Sequence, residues 1–235
     1  ISDYGVTEEG YPFYVMEYLV GETLGQLLRR EFKLSVARTI DIACQICAGL
    51  QLAHWGIKIR REGVITTSEP IQIVHRDLKP DNIFLIPTAL GELVKILDFG
   101  IAKIRDEAAE FTNLTSTFLG TFRYSAPEQL QVEKNIDGRA DIYSLGMILY
   151  EMLSGSDPFG FGTEARKTSG VSWGIAHTSQ LPLSLRSQPG CECLSVELEA
   201  IVMRCLDKLP ARRFGSVAEL STALQSVLPN SLGNP

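Results

Sequence analysis

The sequence predicts an α+β fold, with a little strand at the front and mostly helix behind. Three observations carry this. Short apolar runs (Pro12 to Leu19, Ile83 to Ile86 and Val94 to Leu97) have strand length. Apolar residues recur at helical spacing over Val36 to Leu50, Asp137 to Leu153 and Ser195 to Leu206. No internal repeat divides the chain into similar halves.

The elements follow in order. Pro12 to Leu19 reads as a buried strand running into a connector. Glu22 to Arg30 places Leu24, Leu27 and Leu28 at i, i+3, i+4, a short helix. Ser35 can cap the next helix, whose inward positions are Val36, Ile40, Ala43, Cys44, Cys47 and Leu50, and which should end near Trp55-Gly56. Residues 55–72 read as a loop with room for a hairpin. Ile83 to Ile86 and Val94 to Leu97 are short strands flanking a turn at Gly91. Phe111 to Phe122 is rich in Ser and Thr without a period, an extended loop. Asp137 to Leu153 is a strong helix with Ile142, Leu145, Ile148, Leu149 and Leu153 on one face. Residues 154–194 are rich in Gly, Ser and Pro and take no assignment. Ser195 opens a helix with Leu198, Ile201, Val202, Cys205 and Leu206 inward. Ser216 and Glu219 form a capping box for the last helix.

Composition narrows the class. The 235 residues are 45% hydrophobic and 21% charged, an ordinary globular balance with enough chain for a sizeable core. A net charge of −6 argues against a general nucleic-acid binder, which needs excess Lys and Arg to displace counterions. No apolar run has membrane-spanning length, and Ile1 to Gly5 is not a secretory signal. Five cysteines, an odd number, point to reduced thiols and a cytoplasmic setting. Cys44-x-x-Cys47 and Cys191-x-Cys193 raise zinc, but Cys44 and Cys47 fall on an apolar helix face and no His stands at finger spacing. A zinc-dependent interaction domain is thus the weakest alternative.

The chemistry is concentrated in His75-Arg76-Asp77-Leu78-Lys79-Pro80-Asp81-Asn82, followed by Asp98-Phe99-Gly100 and then Ala126-Pro127-Glu128. Taken alone, Asp98-Phe99-Gly100 is ordinary turn chemistry and His75 an ordinary core histidine. In this order and spacing, the three resemble the catalytic loop, metal-binding turn and activation-segment end of the eukaryotic-type (Hanks-type) serine/threonine protein kinases. The resemblance runs from Ile1 to about Leu228. Glu17 to Leu24 and Ile96 to Lys103 are similar in style to bacterial members.

The resemblance implies transfer of the ATP γ-phosphate to Ser or Thr hydroxyls of protein substrates. Charge builds on the phosphate oxygens in that reaction, so the site needs a divalent metal, a carboxylate at the acceptor hydroxyl and a cation. Asp77 matches the catalytic base, and Asn82 and Asp98 the ligands of Mg²⁺ (or Mn²⁺), which prefers hard oxygens. Lys79 neutralises the transferring phosphate, and its position two residues after the Asp marks the serine/threonine class. Thr121 matches the threonine that touches the catalytic Asp and Lys. His75 is structural, packing near Phe99.

Phe13 to Leu19 matches the last small-lobe strand and hinge. Met16 would stand beside the adenine, main-chain groups of Glu17 and Leu19 would bond its edge, Glu22 would reach the ribose, and Phe84 would form the floor, where Met or Leu is more usual. Asp141 matches a buried acceptor bracing the catalytic loop. Glu128 and Arg213 match a structural ion pair. Arg76 before Asp77 implies regulation by activation-segment phosphorylation, with Thr112, Thr115, Ser116 and Thr117 as candidates.

The implied organisation is a small-lobe remnant and hinge at 1–20, a large lobe at 21–228 with an insertion at 55–72 and an activation segment at 98–128, and a tail at 229–235. No Gly-rich loop or strand Lys is found, and Gly160-x-Gly162 follows no strand. The chain is therefore expected to be a fragment that binds ATP weakly and transfers phosphate poorly by itself, with exposed apolar surface. Fused regulatory domains would lie outside it. The competing reading is a non-catalytic binding module, against which stand the intact Asp77, Asn82 and Asp98. The insertion, locally basic through Lys58, Arg60 and Arg61, reads as a solvated loop ahead of a docking element.

Overall fold

The most deeply buried helix organises the fold. In the computed structural model, which describes residues 3–56, 60–61, 64–65, 71–99, 122–131, 135–165 and 167–228, helix α4 (Arg139–Ser154) is buried nearly all round, from Ala140 to Leu153. A helix apolar on every side belongs in the centre of a domain. Asp137 accepts the Arg139 main-chain N–H at 2.9 Å just ahead of it. Gly155, left-handed at φ 71°, closes the other end.

Around α4 lie the remaining helices: α1 (Leu24–Glu31), α2 (Val36–Trp55), α3 (Pro127–Leu130), α5 (Gly170–Ser179), α6 (Val196–Cys205) and α7 (Val217–Ser226). Thr23 and Gln26 cap α1 reciprocally, at 3.1 and 2.8 Å, and its buried stripe is the expected Leu24, Leu27 and Leu28. Ser35 caps α2 through Arg38 N–H at 3.3 Å, and Gly56 ends it. Ser195 caps α6, with Leu198, Val202 and Cys205 inward. At α7, Ser216 accepts the Glu219 N–H, but the Glu219 carboxylate reaches Gly215 N–H and not Ser216. The expected capping box is thus displaced by one residue, with Arg204 held on the other Glu219 oxygen.

The strands are β1 (Asp3–Val6), β2 (Pro12–Val15), β3 (Glu22–Thr23), β4 (Arg60–Arg61), β5 (Val64–Ile65), β6 (Ile83–Thr88) and β7 (Gly91–Ile96). The β6–β7 hairpin turns ahead of Gly91 as expected, and β3 adds to its edge, pairing Glu22 with Leu85 and Thr23 with Phe84. Strands β4 and β5 form a hairpin inside the 55–72 segment. Strands β1 and β2 pair only with each other among the described residues.

Two expectations change here. The first strand is not buried: Phe13, Val15 and Met16 are about half exposed, and none of the described side chains of β1 and β2 joins the core. A lone two-stranded ribbon cannot cover its own faces. The unassigned 154–194 stretch contains α5 and a loop gathered on Asp157, whose carboxylate accepts the N–H groups of Phe159, Phe161 and Gly162. The two glycines of Gly160-x-Gly162 have positive φ and serve this turn.

Candidate active site

The loop that follows Ile73 has little secondary structure of its own, so its main-chain groups need partners from elsewhere. Helix α4 supplies them. The fully buried Asp141 carboxylate accepts His75 N–H at 2.8 Å and Arg76 N–H at 2.9 Å, and His54 Nε2 stands 2.8 Å from the same carboxylate. Gln129 on α3 holds the loop from the other side, donating to the Arg76 carbonyl at 2.8 Å and accepting Ala126 N–H at 3.0 Å. Arg76 thereby keeps a left-handed φ of 61°, a conformation a non-glycine residue holds only where its surroundings impose it.

His75 is fully buried. Its Nδ1 accepts Asp77 N–H at 3.3 Å, so the proton sits on Nε2, which donates to the Leu97 carbonyl at 2.9 Å. The ring also packs on Phe99, with centroids 4.8 Å apart. This histidine joins the loop to the 97–99 turn.

Past it the loop brings three sequence-predicted residues together. Lys79 Nζ donates to Asp77 Oδ2 at 2.9 Å. Asn82, on the short 3₁₀ turn Pro80–Asn82, donates its amide to the Asp77 carbonyl at 2.9 Å and approaches Oδ2 at 3.4 Å. Leu97 N–H donates to the Asn82 carbonyl at 2.8 Å, which sets Asp98 beside Asn82. Asp98 is exposed and, like Arg76, left-handed, at φ 51°. With its nitrogen committed to Asp77, the Asn82 side chain has its amide oxygen left as a ligand atom. That oxygen and the Asp98 carboxylate are hard donors, and they fit Mg²⁺ or Mn²⁺ better than a soft metal.

The 16–22 connector passes over β6. Gly21 fits where a side chain would not: a Cβ there would lie 2.0 Å from the Leu85 carbonyl oxygen and 3.0 Å from the Phe84 ring, at a φ of +155°. Phe84 therefore borders this connector. Met16 is exposed, Leu19 partly buried, and the Glu17 carboxylate pairs with Lys95. Glu22 does not point free. It pairs with Arg30 at 2.6 Å, and that bond holds its carboxyl below the ordinary range.

Glu128 and Arg213 meet in a buried two-pronged pair at 2.6 and 2.8 Å. Gly100, Thr112, Thr115, Ser116, Thr117 and Thr121 lie outside the described residues. Sequence reasoning missed Gln129 as a tether of the loop and His54 as a partner of Asp141. It also missed Arg123, whose guanidinium meets Glu151 at 2.8 Å while Tyr124 donates to the other Glu151 oxygen at 2.6 Å. Burial, reinforced by Glu151, holds the Tyr124 phenol well above its ordinary pKa, so it remains a donor.

Comparison with known proteins now has a geometry to attach to. A sequence profile described as the protein kinase domain matches residues 1–226. Serine/threonine-protein kinase A of a Synechocystis strain is 43% identical over 230 residues, covering 97% of this chain and 40% of that protein. Serine/threonine-protein kinase pkn3 of Myxococcus xanthus is 34% identical over 231 residues, covering 97% of this chain and 38% of that protein. The chain spans well under half the length of these relatives. The crystal structure of the Mycobacterium tuberculosis PknI kinase domain superposes with a TM-score of 0.62 at 24% identity, covering 96% of this chain and 69% of that one, a likeness of fold.

Proposed function

The chain belongs to the protein kinase domain family, in its bacterial-like Hanks-type serine/threonine branch, and from that premise we propose that it carries the catalytic loop of an enzyme phosphorylating Ser and Thr hydroxyls of proteins with ATP. One observation supports this most: Lys79 and Asn82 converge on Asp77, at 2.9 Å each, on a loop fixed to the buried Asp141. A carboxylate so held can orient an acceptor hydroxyl and take its proton. Lys79, already at that carboxylate, is in reach of a phosphoryl group arriving there. Asn82 and Asp98 would hold Mg²⁺ (or Mn²⁺), which supplies charge neutralisation at the ATP phosphates.

The connector at 16–22 would receive the adenine, through Glu17 and Leu19 main chain with Met16 beside it and Phe84 beneath. Glu22, held by Arg30, would have to exchange that partner to meet a ribose. Arg76 belongs to the same proposal as the receiver of a phosphate on Thr112, Thr115, Ser116 or Thr117. Among the described residues no helix is long and apolar enough to cross a membrane, and the five cysteines are free thiols, which fits the reducing cytoplasm.

The test uses the native full-length protein with Mg-ATP and a protein acceptor. Asp77→Asn should lower kcat by about 10² to 10⁴, the usual share of a positioned base, with nucleotide affinity and melting temperature kept. An unchanged rate would remove Asp77 from the reaction.

A further inference from the structure

The peptide unit between Arg76 and Asp77 lies just ahead of the Asp77 side chain. A peptide unit is planar, so holding its two ends fixes the whole plane. Its N–H end, on Asp77, meets His75 Nδ1 at 3.3 Å, a long bond. Its carbonyl end, on Arg76, accepts the Gln129 amide at 2.8 Å. The short bond thus comes from α3, 53 residues further along the chain. Rotation of the plane changes ψ of Arg76 and φ of Asp77 together, and φ of Asp77 sets where its Cβ and carboxylate go. Arg76 is already left-handed, at φ 61°, so this turn is held by its partners and not by its own backbone preference.

Both partners of Gln129 are main-chain groups, which fixes the orientation of its amide. Ala126 N–H donates, so Oε1 faces it at 3.0 Å, and the Arg76 carbonyl accepts, so Nε2 faces that. Among side chains of this reach an amide meets both needs. Glu has the acceptor without the donor, and Lys the donor without the acceptor. The adjacent Glu128 is bound to the buried Arg213 at 2.6 and 2.8 Å. One short turn, Pro127–Leu130, is therefore anchored to Arg213 by one side chain and bonded to the catalytic loop by the next. Capping accounts for half of what Gln129 does: the bond to Ala126 N–H closes the first turn of α3 and uses Oε1 alone. It leaves the shorter bond, from Nε2 to Arg76, without a purpose.

We infer that Gln129 is a positioning residue for phosphoryl transfer: its Nε2 donor, carried at the close of the activation segment, fixes the peptide ahead of Asp77 and so aims the carboxylate at the acceptor hydroxyl. The inference rests on the kinase reading above. It adds that turnover depends on where the Pro127–Leu130 turn sits.

The experiment measures kcat, KM for ATP and KM for a protein acceptor with the native full-length protein, and the melting temperature of each variant. Gln129→Glu keeps the shape and the acceptor for Ala126 N–H, but sets a carboxylate oxygen against the Arg76 carbonyl. Gln129→Lys keeps a donor for that carbonyl and gives up the cap. Gln129→Glu should lower kcat by about tenfold or more, within the roughly 10²-fold that an ångström of misplacement costs, with both KM values little changed. Gln129→Lys should retain the larger part of kcat at a lower melting temperature. A capping role alone gives the opposite order, with the Glu variant near the wild-type rate and the Lys variant below it. That order, or equal rates in the two variants, would overturn the inference and leave the kinase reading standing. Should Gln129→Glu not fold, Gln129→Met, which makes neither bond, takes its place against Gln129→Lys. Should Gln129→Lys not fold, Gln129→Glu decides alone: a wild-type kcat overturns the inference, and a tenfold loss at unchanged KM and melting temperature upholds it. Absence of any Asp77-dependent transfer in the wild type would overturn both.

Discussion

Arg213 is the side chain whose loss the fold should feel most. It is fully buried and Glu128 nearly so. All five of its N–H donors are used. Two meet the Glu128 carboxylate, at 2.6 and 2.8 Å, and the others meet the carbonyls of Arg139, Asp207 and Lys208 at 2.8, 2.8 and 3.3 Å. The guanidinium also lies over the Tyr143 ring, 4.8 Å from its centroid. Arg213→Met keeps bulk and removes the charge, leaving Glu128 buried without its cation. Breaking a buried pair from one side costs about 3–5 kcal/mol. In a domain of this size each kcal/mol moves the melting temperature by about 2–4 °C, so a drop of roughly 6–20 °C is expected. Paired thermal and urea unfolding would read it. The double variant Glu128→Leu with Arg213→Met removes both charges and should recover a good part of the loss, because the penalty lies in the stranded carboxylate. Lys167→Ala, which breaks an exposed pair with Glu164, should stay within about 0.5 kcal/mol. If Arg213→Met were as mild as Lys167→Ala, the pair would not be the strut described.

His177 makes the fold acid-sensitive. Burial, with Lys208 nearby, lowers its pKa from 6.5 to about 3, and its ring sits between Tyr143 Oη at 2.8 Å and the Arg123 carbonyl at 3.1 Å. The unfolded chain binds the proton first as pH falls, so stability declines from about pH 6.5 towards pH 3 and is about 2 kcal/mol lower at pH 5 than at neutrality. Melting curves at pH 7 and 5 should show that extra loss in the wild type and not in His177→Gln, and equal losses in both would remove the histidine as its source. Gly21→Ala forces a Cβ to 2.0 Å from the Leu85 carbonyl oxygen. It should displace the connector from β6, lower stability by about 1–3 kcal/mol and weaken nucleotide binding in the native protein. A titration with unaltered affinity would separate that connector from the nucleotide.

What was legible in the sequence follows from where each partner sits. Helices α1, α2, α6 and α7 announce themselves because their buried stripes and caps are local, as with Leu24, Leu27 and Leu28 behind Thr23 and Gln26, and α4 does so by the length of its apolar run. Helix α5 does not. Its Val171 and Ile175 are exposed while Trp173, Ala176 and His177 are buried, and Gly170, Ser172, Gly174 and Thr178 blur the period. What fixes α5 is tertiary, through Trp173 against Phe159 and Phe161 and His177 against Tyr143. Burial of β2 was misread because apolar content was taken for cover. The loop residues Asp77, Lys79 and Asn82 were legible as a motif. Gln129 and His54 were not, since they act on atoms 53 and 87 residues away and belong to no local pattern.

The same distribution explains how a reactive loop is kept in shape. Its two left-handed non-glycine residues, Arg76 and Asp98, flank the cluster of Asp77, Lys79 and Asn82, and such backbone costs on the order of 1–3 kcal/mol apiece. The bonds that hold them come from residues distant in sequence. Arg76 is gripped through its N–H by Asp141 and through its carbonyl by Gln129. Asp98 follows Leu97, whose N–H goes to Asn82 and whose carbonyl goes to His75. Since His75 N–H goes in turn to Asp141, both strained points are referred to one carboxylate on the most buried helix of the fold. Chemistry set on loops and geometry set by a rigid element is how a site stays preorganised. It also means that Asp141, which bonds the two residues ahead of Asp77, sets the orientation of Asp77 that the proposed reaction requires.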